Sequence, residues 1–258
     1  MTTNDPALAD QLAVAAVALL QDLRRGSDLD APALKDAGDA ASQRFLAERL
    51  TALRPADAVL SEEAADSAAR LAADRVWIID PLDGTREFSE YRDDWAVHVA
   101  LWQRGAGLTA GAVASPNVVH GTTSALAQRR DVADVADVLD GSRSLRLAVS
   151  RSRPPALVAG VVARLAAETV PMGSAGVKTM AVVDGLADAY VHGGGQYEWD
   201  SAAPVAVARA AGLHTSRLDG SPLEYNRENP WLPDLVVCPP ALAQRLLAAI
   251  AAVLQEEA

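Results

Sequence analysis

Between Pro6 and Arg25 the chain is rich in Ala and Leu, with Gln11, Gln21 and Asp22 set among them, a pattern that suits a helix closed near Gly26. A second helix is expected from about Asp39 to Leu53. The short apolar run Ala58, Val59, Leu60 leads into Ser61, Glu62 and Glu63, after which an Ala-rich helical segment is expected to reach Arg75. There the pattern changes. Val76, Trp77, Ile78 and Ile79 are consecutive apolar residues closed by Asp80 and Pro81, the signature of a buried strand ending in a turn. Residues 95–102, 108–114 and 118–122 are three further strand-like runs, together a meander. The stretch from Gln128 to Ser144 lacks periodicity and is expected to be a surface loop and a boundary. Beyond it strands and helices alternate: strand 146–150, helix 155–167, strand 169–172, helix 174–186, strand 188–192, helix 200–211, strand 235–238 and helix 240–254. This predicts α/β layers forming one unit over residues 1–258, with sub-layers of about 1–130 and 145–258.

Composition narrows the picture. Among 258 residues 54 are Ala and only two are Phe, so the core must be built from small side chains. Just Lys35 and Lys178 are lysines, and the net charge of −11 argues against nucleic acid or an anionic membrane as partner. The single cysteine, Cys238, excludes an intrachain disulfide framework and points to a reducing compartment. The longest early apolar run, Leu12 to Leu20, is shorter than a membrane span and is flanked by Asp5, Asp10 and Asp22. A cytoplasmic protein is the expectation.

The chemistry concentrates in Val76 to Phe88, VWIIDPLDGTREF. Asp80 and Asp83 lie three residues apart after a buried strand, with Pro81 fixing the turn and Gly84 permitting close backbone approach. An ordinary strand exit uses the same residue types. The context favours a site. Glu62 and Glu63 follow another strand-like run, and Asp200 stands in EWDSAAP at a helix start. Acidic groups at several element ends are what a hard cation requires, because Mg²⁺ takes oxygen ligands and shares them with substrate phosphate and water. Bound cations would also turn an acidic pocket into one that attracts phosphate.

DPLDGT, the upstream acidic pair and the downstream WDSAAP together resemble the inositol monophosphatase superfamily, whose pattern is an acidic pair, then D-P-(I/L)-D-G-T, then W-D-x-A. The three motifs occur in that order over roughly residues 36–240. REF after DPLDGT, GSAGVK at 173–178 and LEYN at 223–226 are most similar to the bacterial CysQ-type branch, which hydrolyses 3′-phosphoadenosine 5′-phosphate (PAP) to AMP. The resemblance implies a layered α-β-α-β-α sandwich, two or three Mg²⁺ ions, inhibition by Li⁺, a homodimer, a role in nucleotide metabolism and sulfur assimilation, and a small phosphate ester as substrate. It implies that Glu62, Asp80, the Leu82 carbonyl, Asp83 and Asp200 ligate metal, and that Gly84 and Thr85 contact phosphate. Thr85 with a carboxylate would activate the attacking water. Asp39, in ALKDAGDAAS, fits the position of that carboxylate, while Asp36 stands where the family usually has Thr. Glu62 joins Thr85 and Asp39 as a catalytic candidate.

Metal ions so held can lower the pKa of a water, clamp phosphoryl oxygens and stabilise the leaving alkoxide, so no protein nucleophile is required. Haloacid-dehalogenase enzymes need D-x-D-G-T, with one residue between the aspartates, and this chain has two. Substrate contacts are expected from Arg86, Ser174, Lys178 and Glu198, with Arg217 and Arg227 as candidates for a second phosphate and Tyr225 and Asn226 for ribose or base. Inositol phosphates and fructose 1,6-bisphosphate are alternative substrates, and a non-catalytic metal- or phosphate-binding protein is the alternative outside enzymes. His98 and His192 are expected to be structural, and Trp77, Trp95, Trp102 and Trp199 to pack in the core.

Overall fold

A computed structural model describes residues 4–123, 135–152 and 154–256. The part of the expected 128–144 loop at 128–134 lies outside the described residues. Helix α1 (Asp5–Arg25) starts at the Asn4 cap, and α2 (Ala31–Leu53) at Asp30, whose side chain accepts the Ala33 N–H at 3.0 Å. This corrects the expected start near Asp39, which lies inside α2. Cap and Pro32 nucleate the helix one turn after Gly26.

One sheet is ordered β1 (Ala58–Ser61), β2 (Arg75–Asp83), β3 (Ala96–Gln103), β4 (Gly107–Ser115), β5 (Val118–Gly121), with β1 parallel to β2 and the rest antiparallel. Before β2, the expected Ala-rich helix is a single 3₁₀ turn, Ala68–Leu71. Its Arg70 is buried, chelated by Asp66 and bonded to Asn226 Oδ1 at 2.8 Å, so the segment is shaped by tertiary partners. The short helix α3 (Thr85–Ser89) follows β2.

After the turn α4 (Ala136–Leu139), the elements are β6 (Arg146–Ser150), α5 (Ala156–Leu165), β7 (Glu168–Met172), α6 (Ala175–Val183) and β8 (Ala189–His192). They continue through β9 (Gln196–Tyr197), α7 (Glu198–Ala210), β10 (His214–Ser216), β11 (Trp231–Leu232), β12 (Leu235–Cys238) and α8 (Pro240–Glu256). The second sheet runs β10-β12-β8-β6-β7, and β9 pairs with β11 in a separate ribbon. Neither β10 nor the ribbon has a hydrophobic run long enough to reveal it in sequence.

Alternation along the strands builds the layers. Trp77 and Ile79 face α1 and α2, in a core with Leu12, Leu46 and Val99. Val76 and Ile78 face the other way, against α6, α7 and the inner face of the second sheet, represented by Ala148 and Tyr190. Val149, Val191 and Cys238 on that sheet's far face pack on α5 and α8. The result is a five-layer α-β-α-β-α stack. Its middle explains the alanines: α7 buries Ala202, Ala203, Ala206 and Ala208, and a Cβ at Gly111 would lie only 2.7 Å from that of Ala206. Helix α1 is long and apolar enough to cross a membrane by length and composition; here its apolar stripe, including Leu8, Leu12 and Leu20, is buried in the core with the first sheet.

Candidate metal and phosphate site

The site begins at an irregularity in β2. Asp80 pairs with His98 across the strands and Asp83 with Ala96, and the register shifts between them, where Pro81 has no N–H for the ladder. Asp80 Oδ1 accepts the Leu82 N–H at 3.0 Å, holding the turn, and Gly84 leaves it with φ +91°. Helix α2 is clamped onto this turn: Ser42 Oγ donates to the Pro81 carbonyl at 2.7 Å, and a Cβ on Gly38 would lie 2.8 Å from Phe88. The same helix is tied to β1 through Ser61 Oγ and Gln43 Oε1 at 2.7 Å. Asp39 and Glu62 thus approach the turn from two separate elements.

From the other half of the chain comes the 173–176 loop. Asp94 accepts the Gly173 N–H at 2.7 Å, while Asp83 Oδ2 accepts the Gly176 N–H at 2.8 Å and the Ser174 hydroxyl. Asp200 sits in the first turn of α7, its Oδ2 accepting the Tyr197 N–H at 2.6 Å as half of a capping box. Its neighbours Ala202, Ala203 and Pro204 are buried, which sets the helix end against the carboxylates.

Glu62, Asp80, Asp83 and Asp200 line one cavity of about 480 Å³. Desolvation, and then Asp83 and the other acidic neighbours, push Glu62 and Asp200 up to about 7, and the same causes raise Asp80 well above its ordinary range. Asp80 Oδ2 is buried with no hydrogen-bond partner. A buried carboxylate oxygen that is unpaired and surrounded by like charges is costly unless a cation joins it. The donor set is dominated by carboxylate oxygens, so the residues fit a hard divalent cation. His98 belongs to the same cluster: its ligand atom lies within 4.8 Å of one from each of Asp80 and Asp83, with Nε2 3.3 Å from Asp83 Oδ2. Burial lowers its pKa, and Nδ1 lies 3.2 Å from the Trp199 carbonyl. His98, expected from its strand alternation to be structural, is held by the Trp199 carbonyl and also faces the carboxylates through its cross-strand pairing with Asp80.

The other expected residues divide into two groups. Gly84, Thr85, Arg86, Ser174 and Lys178 line the cavity. Arg86 is exposed and bonded to Glu90 at 2.8 Å, and buried Lys178 spends its Nζ on the carbonyls of Gly173 and Ser174, each at 2.7 Å. Asp39 borders an adjoining acidic depression with Asp36 and Glu63; desolvation and then Glu63 raise it to about 7. Among the described residues no hydrogen bond joins Asp39 to Thr85. Glu198 is turned away from the cavity, its carboxylate accepting the N–H groups of Asn226 and Arg227 at 2.6 and 2.8 Å. Tyr225 is buried with its hydroxyl 3.1 Å from Ser201 Oγ, so it does not present itself to a ribose or base. Asn226 is bound to Arg70 and also lies off the cavity. Arg217 and Arg227 pair with Asp234 and Glu224 beside a separate depression. Tyr190, His192, Gln196 and Trp231 also line the main cavity. Their sequence positions carry no motif that announces them.

A sandwich of this kind, with an acidic cluster that could hold a cation, is the architecture of a phosphatase family. The inositol monophosphatase family pattern matches residues 33–257, and the chain belongs to that family. A Mycobacterium leprae protein named 3′-phosphoadenosine 5′-phosphate phosphatase is 52% identical over 266 residues, covering 98% of this chain and 95% of its own length. The Escherichia coli K12 3′(2′),5′-bisphosphate nucleotidase CysQ is 33% identical over 202 residues, 76% of this chain and 81% of its own. In structure, an inositol monophosphatase from Anabaena superposes with a TM-score of 0.74 at 21% identity, over 95% of this chain and 94% of its own.

Proposed function

We propose that this chain hydrolyses the 3′-phosphate of 3′-phosphoadenosine 5′-phosphate, giving AMP and inorganic phosphate, as a Mg²⁺-dependent enzyme using two or three ions and inhibited by Li⁺. The observation that carries the reading is the unpartnered Asp80 Oδ2 inside a cluster of mutually destabilised carboxylates, at the floor of a cavity large enough for a nucleotide. The named relatives support the choice of substrate.

Glu62, Asp80, Asp83, Asp200 and the Leu82 carbonyl are the residues that would hold the metal. Bound there, Mg²⁺ supplies Lewis-acid stabilisation of phosphoryl charge and a more acidic water. The chain's own groups do the positioning. Thr85, at the end of the DPLDG turn, orients the attacking water through its hydroxyl, with Asp39 or Glu62 as the carboxylate that receives its proton. The water oxygen bonds to phosphorus as the bond to the ribose 3′-oxygen breaks, and that oxygen takes a proton from a water molecule at the site and leaves as the 3′-hydroxyl of AMP. Gly84 lets the backbone approach the phosphoryl group, and Arg86 stands at the mouth. Ser174 and Lys178 shape the facing wall: Ser174 braces Asp83, and Lys178 gathers two carbonyls that would otherwise repel an anion.

The same reading takes residues 1–258 as one catalytic unit, with 1–130 supplying most metal carboxylates and 145–258 completing the substrate wall. It places the protein in the cytoplasm as a homodimer serving sulfur assimilation, where PAP arises. The test is phosphate release from PAP, inositol 1-phosphate and fructose 1,6-bisphosphate, each with Mg²⁺, without it, and with Mg²⁺ plus Li⁺. PAP should be the fastest substrate, its turnover Mg²⁺-dependent and Li⁺-sensitive. If PAP is the slowest, the substrate assignment fails while the metal chemistry stands; no release from any of them leaves a binding protein.

A further inference from the structure

Beside Asp200, the cavity is also lined by the β9–β11 ribbon. Tyr197 and Trp231 are register partners there, and they are 41% and 46% exposed, unusual for large aromatics. Tyr197 stacks on Trp199 with ring centroids 4.6 Å apart at 10°, and meets Trp231 edge to face at 5.2 Å. The Trp231 ring lies so close over Gly195 that a Cβ there would overlap it, and Gly195 has φ +82°. His192 Nε2, 3.0 Å from the Gly195 carbonyl, fixes that loop from behind. These contacts hold the two rings in place while leaving part of each exposed.

Gln196 is an independent second sign. It is only 6% exposed, it lines the same cavity, and neither its amide nitrogen nor its amide oxygen has a hydrogen-bond partner. An unpaired buried donor and acceptor side by side are costly to the fold, and they match the adjacent acceptor and donor on the edge of an adenine. Strand alternation puts Gln196 and Tyr197 on opposite faces of the ribbon, yet both line the cavity.

Resting on the nucleotide reading above, we propose that Trp231, seated on Gly195 and backed by Tyr197, is the platform on which the substrate's purine stacks, with the Gln196 amide bonding to its edge. Aromatic platforms of this type are tolerant of base identity and strong enough to set affinity. The polar edge contact adds selectivity.

The test compares PAP with ribose 3,5-bisphosphate, which carries both phosphates and no base, using the full chain with Mg²⁺. Wild type should prefer PAP in kcat/KM. Trp231→Ala should lower that preference by about 10-fold, mainly through KM for PAP, and Trp231→Phe should restore most of it. Gln196→Leu should lower the preference too, with Tm unchanged or raised because an unpaired buried amide is removed. Equal losses on both substrates, or a preference within twofold of wild type in both alanine and leucine variants, would overturn the platform. If wild type cleaves neither substrate, the nucleotidase reading itself fails and takes the platform with it; if it cleaves both equally well, the activity stands and the platform alone is wrong.

Discussion

Gly176 donates its backbone N–H to Asp83 Oδ2 at 2.8 Å, joining the second half of the chain to the metal turn across 93 sequence positions. The contact exists because residue 176 has no side chain: a Cβ there would run into the His98 imidazole, which is fully buried and cannot withdraw. Gly176→Ala should therefore push the start of α6 away from the turn. We expect a stability loss of about 1–3 kcal/mol from overpacking and a weakened thermal shift on adding Mg²⁺. Unaltered Mg²⁺ titration in a folded variant would show that Asp83 does not depend on this junction.

Asp80→Asn separates the demands of folding from those of metal binding. The substitution removes one charge from a cluster in which desolvation and neighbouring carboxylates already disfavour ionisation. Without metal, the variant should be more stable than wild type by roughly 1–2 kcal/mol. With Mg²⁺, its thermal shift should largely vanish and activity should fall by more than about 100-fold. Calorimetry on chelator-treated protein checks the first part. A metal-free variant less stable than wild type would contradict the like-charge account.

Thr85→Ala tests the water-orienting role apart from the ligands. Turnover should fall about 100-fold or more while the Mg²⁺-induced thermal shift is retained, since general-base assistance is lost and the carboxylates are untouched. Asp39→Asn should behave the same way. Loss of the thermal shift in Asp39→Asn would instead place that carboxylate among the metal ligands.

Asp188 offers a pH-dependent prediction far from the site. It is 1% exposed, and although burial acts to raise its pKa, hydrogen bonds from Arg146 and Arg143 outweigh it and hold the carboxyl below its ordinary value. A folded pKa below the unfolded one means the native state binds fewer protons. The stabilisation is therefore complete above an unfolded pKa of about 4 and is lost as pH falls through the folded value. Asp188→Asn should cost about 2 kcal/mol at pH 7, between the worth of exposed and buried pairs. The difference from wild type should shrink in denaturant melts below about pH 4. A gap that stays constant to pH 2 would assign the loss to packing instead of charge.

Much of this organisation was legible along the chain. VWII followed by DPLDGT marks a buried strand and its functional exit, because a run of β-branched and aromatic residues and a turn with Pro and Gly are local signals. The acidic residues of the cluster lie in motifs whose spacing is itself local. His98, Tyr190, Gln196 and Trp231 carry no such mark. Their roles arise from strand register, from a loop docking 93 positions away and from a two-residue ribbon, none of which has a periodic signature. Glu198 shows the converse: lying two residues before Asp200, it is carried by helix geometry to backbone N–H groups outside the cavity.

The succession of the longer strands and helices, the small-residue core and the set of carboxylates available to a cation were thus determined by the sequence alone, because each rests on local patterns, while the short β9, β10 and β11 and the 3₁₀ turn before β2 were not. Only tertiary structure decided which carboxylates meet, what faces them and where the substrate's far end can rest. Those outcomes depend on how two sheets stack around a layer of alanine-rich helices, and the separation set by that packing is a property of the whole chain.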